Sequence, residues 1–123
     1  MFSKNTHKQT VILDSNGNIS IDSKKVKISD IQTITTQKLE KDTTLFVILL
    51  FDKNASFEKW LTVNSCIKKS FLIIRDKKSK ELFNKGFEDL TKEGLEVICK
   101  KYKLNMTDFE INAYGKLSHY YCK

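Results

Sequence analysis

Two histidines, three cysteines and a crowd of lysines are the side chains here best suited to chemistry, and their spacing decides how far each can go. His7 and His119 stand near opposite ends of the chain, and neither has an acid or nucleophile at the spacing of a catalytic constellation. There is no HExxH, no GxSxG, no glycine-rich phosphate loop and no paired-carboxylate signature. Solvated or locally bonded imidazoles are the expected state of both rings. Cys66, Cys99 and Cys122 are odd in number and widely spaced, without a CxxC pair or a histidine at metal-ligand spacing. Reduced, mostly buried thiols follow, with Cys122 the exposed exception. No catalytic, metal or cofactor site is expected.

Charge is the stronger signal. The net charge is +7, and residues 61–123 hold +5 of it. Lys68, Lys69, Arg75, Lys77, Lys78, Lys80 and Lys85 face only Asp76 and Glu81 in one short stretch. A surface of this sign attracts polyanions or an acidic protein partner. Arg75 is the only arginine, and lysine binds phosphate as a hydrated point charge rather than as a planar fork. Lys77-Lys78-Ser79-Lys80 reads as the turn of a hairpin, placing Lys68, Lys69, Arg75, Lys77, Lys78 and Lys80 at a common edge as the candidate anion or partner site. Tyr114, Tyr120 and Tyr121, near the basic terminus, are a second candidate interaction surface. Trp60 and Tyr102 are expected in the core.

The elements that must position these groups begin with Leu45–Phe51, seven consecutive apolar residues between polar turns. That length is too short to cross a bilayer and too apolar for a strand wet on one side, so it predicts a central strand covered on both faces. Val11–Leu13 and Ile19–Ile21 flank Asn16-Gly17, a hairpin signal. Lys25–Ser29 alternates like a strand and Asp30–Thr36 is β-branched and read as extended. Phe57–Val63, Phe71–Ile74 and Glu81–Phe83 complete the predicted strands. The period then changes: Phe87, Leu90, Leu95, Ile98, Cys99 and Tyr102 share a helical face, with Thr91 as cap and lysines in the last turn. This helix is expected to cover the sheet. From Thr107 onward a capping-box spacing favours a second short helix over a strand. Leu95–Tyr114 also admits a helix-turn-helix reading, although Lys103 stands where glycine is usual.

The expected fold class is therefore α+β: an antiparallel meander of six or seven strands, a C-terminal amphipathic helix and a short second helix. Residues 1–123 form a single domain, with 1–9 a loosely ordered N-terminal segment. A composition 40% hydrophobic and 11% aromatic excludes a disordered chain, and the absence of proline leaves no inter-domain linker. No membrane span or signal-like stretch is present, so cytoplasmic residence is expected. Gly17–Ile21, Lys27–Ile34, the central strands and the amphipathic helix together resemble the bacterial pleckstrin-homology-like domains. The resemblance covers roughly Val11 to Leu104 and implies a non-enzymatic binding scaffold, with no ligand residue carried over.

The functional expectation is a non-enzymatic protein-interaction module of the inhibitor, immunity or adaptor kind, with an acidic partner. The alternative is nucleic-acid binding through the Lys68–Lys85 basic hairpin or the helix-turn-helix. A third reading is a small hydrolase or nuclease whose site is assembled from dispersed polar groups. Steep loss of affinity with salt would mark the polyanion binder.

Overall fold

A computed structural model describes residues 7–111 and the backbone of 117–119, and it is built on one mixed sheet. The strands are β1 (Lys8–Leu13), β2 (Ile19–Ile21), β3 (Lys24–Val26), β4 (Phe46–Asp52), β5 (Met106–Ile111) and β6 (Leu117–His119), in the order β3-β2-β1-β4-β5-β6. Helix α1 (Ile28–Lys41) joins β1's hairpin extension to β4; α2 (Phe57–Phe83), a 3-10 turn (Phe87–Asp89) and α3 (Lys92–Lys101) join β4 to β5. These helical crossovers make β1, β4 and β5 parallel, with Val11 opposite Leu49 and Leu49 opposite Asp108.

One face of the sheet carries the core. Val11, Leu13, Val47, Leu49 and Phe51 alternate inward and meet Ile31 and Leu39 of α1 and Val63, Ile67, Phe71 and Ile74 of α2. Among the described residues no helix covers the other face, where Ile12, Ile48 and Leu50 are half-buried and Phe46 is exposed. Leu45–Phe51 does supply the central strand, but its helical cover lies on one side only.

The antiparallel meander is thus replaced by a mixed sheet, and five predicted segments change type. Asp30–Thr36 lies within α1, because Ile31, Thr35 and Leu39 recur every four residues and Asp30 accepts the Lys27 N–H at 3.1 Å. Phe57–Val63, Phe71–Ile74 and Glu81–Phe83 are not three strands but one helix of 27 residues, about 40 Å long. It stands in the middle of the chain, started by the Ser56 hydroxyl, which accepts the Lys59 N–H at 3.2 Å, and stopped by Asn84 in the left-handed region. Met106–Ile111 is strand β5 rather than the start of a second helix, so the helix-turn-helix is not formed.

Other expectations hold. Val11–Leu13 pairs with Ile19–Ile21, and Gly17 takes φ +84° in the loop between them. Asp14 closes that loop by accepting the Asn18 and Asn16 N–H groups, the Asn18 bond foremost in holding its carboxyl below the usual range. Thr91 caps α3 by accepting the Gly94 N–H, with Lys100 and Lys101 in the last turn. Yet α3 packs on α2 rather than covering the sheet, and Phe87 and Leu90 fall before its start.

Candidate protein-binding surface on helix α2

Helix α2 buries Val63, Ile67, Ser70, Phe71 and Ile74 and turns its opposite side to water. That side carries Leu61 (48% exposed), Leu72 (41%), Ile73 (40%) and the exposed Lys68 and Lys69. At 100° per residue Phe57, Leu61, Lys68 and Leu72 fall within one narrow stripe, with Lys69 and Ile73 beside it. No acid occurs in the sequence between Glu58 and Asp76. The stripe is therefore both apolar and positive.

The predicted basic edge does not exist as a hairpin, because all six of its residues lie on α2 at different angles around the axis. Four are engaged internally. Lys77 bridges Glu40 of α1 at 2.8 Å, a contact that raises the lysine's pKa and lowers the carboxyl's. Lys78 pairs with Glu81 at 3.3 Å and Lys80 with Asp76 at 3.2 Å. The Arg75 Nε–H donates to the Tyr102 carbonyl at the end of α3 at 2.8 Å, and its guanidinium lies 5.8 Å from the Phe87 ring centre. Asp76 also accepts the Phe87 N–H at 2.9 Å, the first cause of its lowered pKa. Lys77 thus ties α2 to α1 and Arg75 ties it to α3, whereas the Lys78 and Lys80 pairs lie within α2 itself. Among the described residues Lys68 and Lys69 make no ion pair, so of the predicted set they are the two exposed lysines with no carboxylate to give up on binding.

The N-terminal end of α2 adds a feature that sequence reasoning missed. A cleft of about 220 Å³ lies where the carboxyl end of β4 meets the helix, lined by Phe51, Lys53, Ala55, Phe57, Trp60 and Glu110. Phe57 is 71% exposed and stacks on Trp60, with ring centres 5.6 Å apart; Phe51 meets Trp60 edge-on at 6.0 Å. Behind the indole, the buried Asp108 of β5 accepts the Trp60 Nε1–H at 3.1 Å. Burial pushes this carboxyl's pKa up, against the opposing pull of the indole hydrogen bond. The sequence signal for this corner was Ser56 three residues before Lys59, a helix start that places Phe57 and Trp60 one turn apart on one side.

The remaining candidates are dispersed. His7 Nδ1 lies 2.6 Å from Asp42, which also accepts the Thr44 hydroxyl and N–H in an exposed loop between α1 and β4. The Thr44 bond is the first cause of the lowered Asp42 pKa, and the same hydroxyl lies 3.3 Å from His7 Nδ1. His119 belongs to β6, its backbone opposite Phe109. Cys66 and Cys99 are half-buried free thiols, Cys66 on α2 and Cys99 on α3, where burial of both was expected. Tyr114, Tyr120, Tyr121 and Cys122 lie outside the described residues. No described helix is long and apolar enough to cross a membrane. No family model matches the chain, and no curated protein does.

Proposed function

We propose that this chain is a non-enzymatic protein-interaction module, of the inhibitor, immunity or adaptor kind, that binds an acidic partner along the outward side of α2. The observation that supports this is the stripe of exposed Leu61, Leu72 and Ile73 interleaved with Lys68 and Lys69, which make no ion pair among the described residues. Exposed leucine and isoleucine offer nothing to phosphates, whereas a protein surface can bury them. The one arginine, the usual reader of nucleic acid, is tied to the α3 terminus. Self-pairing of the stripe would bring two surfaces of the same positive charge together, which disfavours it.

The test is affinity capture from the native host with the wild-type chain and with Lys68→Glu/Lys69→Glu as baits. The reading requires a protein with an acidic surface, released by salt and lost from the double variant. Retention by the double variant, or capture of nucleic acid in place of protein, would overturn it.

A further inference from the structure

We infer that the aromatic cleft at the start of α2 seats a single large apolar side chain from an acidic peptide segment that continues along the stripe. This inference rests on the reading above and adds the partner's chemistry. The volume argues first: about 220 Å³ is below the roughly 300–1,000 Å³ of ordinary small-molecule sites, and suits one side chain rather than a nucleotide or cofactor. The walls argue second. Phe51, Phe57 and Trp60 present aromatic surface, and Phe57 already stands 71% exposed while held in place by its stack on Trp60. Preformed aromatic pockets of this kind are where binding energy concentrates, because little ordering entropy remains to be lost.

Charge then sets direction. Lys53 at the lip attracts an acid beside the apolar anchor, and Glu110 on the β5 side repels one. The acidic part of the segment must leave the cleft away from Glu110. Along α2 it meets Leu61 one turn on from Phe57, where the exposed Glu58 also repels acids, so the segment's carboxylates fall further on, at Lys68 and beside Leu72, on the same ridge that carries the proposed function. From Phe57 to Leu72 the path is about 22 Å, within reach of a short helix or extended strand.

Trp60 is the only tryptophan, so its emission reports directly on the cleft. Short peptides selected from a random display library on the intact chain provide the probe. The enriched sequences should be acidic with one large apolar residue toward one end. Their binding should shift Trp60 emission and weaken at least about tenfold in Phe57→Ala, a loss typical of a central anchor. Unchanged circular dichroism and melting of that variant would exclude misfolding. Acidic peptides that bind without an apolar residue, leave Trp60 silent and ignore Phe57→Ala would overturn the anchor while leaving the α2 reading intact. Enrichment of basic peptides, or of none, would overturn both.

Discussion

Leu49 and Ile48 are adjacent on β4, yet replacing each by alanine should have very different consequences. Leu49 is 1% exposed on the helix-covered face, so its truncation loses the full transfer energy and leaves an enclosed cavity. About 3–5 kcal/mol is expected for Leu49→Ala. Ile48 is half-buried on the face that no helix covers among the described residues, so less apolar area is lost and no described helix encloses the void. About 1–2 kcal/mol is expected for Ile48→Ala. Equilibrium unfolding in urea, followed by Trp60 fluorescence and far-ultraviolet circular dichroism, measures both. With a slope of about 1–3 kcal/mol/M, a gap of about 2 kcal/mol separates the two midpoints by roughly 1 M. Equal midpoint shifts at unchanged slope would mean that the sheet is covered on both faces, refuting the one-sided architecture.

Asp108→Asn should change the pH dependence of stability. The native carboxyl's pKa is raised above its unfolded value, so its contribution is fully present below the unfolded pKa and lost as pH rises through the folded one. The asparagine variant keeps an acceptor for the Trp60 N–H, and should gain on wild type at neutral pH with the gap closing on acidification; urea midpoints across pH check this. Arg75→Met should cost about 1.5–3 kcal/mol by leaving the Tyr102 carbonyl without its charged donor, and hydrogen exchange should quicken first in α3. Gly17→Ala should cost about 1 kcal/mol through the positive φ alone, as read from the thermal midpoint.

What could be read in the sequence was what local chemistry decides. Asn16-Gly17 set a hairpin, Thr91 a helix start, and Leu45–Phe51 a central strand. Helix α2 was hidden by its own exposed apolar residues. Phe71-Leu72-Ile73-Ile74 looks like a buried strand over four residues, but only Phe71 and Ile74 are buried, in step with Val63 and Ile67. Leu72 and Ile73 break the amphipathic pattern, and they are among the residues assigned here to binding, where such departures are expected. The β-branched run Ile31–Thr36 masked α1 in the same way, since three threonines raise local strand preference against a four-residue period. At Thr107–Glu110 a capping-box spacing lost to parallel pairing with β4, a partner distant in sequence. The basic residues were correctly seen as abundant; the partners of Lys77 and Arg75 depended on Glu40 of a different helix and on the end of α3, and those of Lys78 and Lys80 on α2 being a helix, which brings Glu81 and Asp76 alongside.

The central claim is that position on α2, rather than overall positive charge, directs binding. Two double reversals change net charge equally: Lys68→Glu/Lys69→Glu on the open stripe, and Lys77→Glu/Lys78→Glu among residues already paired with Glu40 and Glu81. The decisive measurement is the association rate of each with the captured partner, from low salt to about 1 M, where the Debye length falls to roughly 3 Å. The account predicts about tenfold slower association at low salt for the first variant, near wild-type association for the second, and convergence at high salt. Equal slowing of both variants would contradict it, leaving net charge as the whole effect.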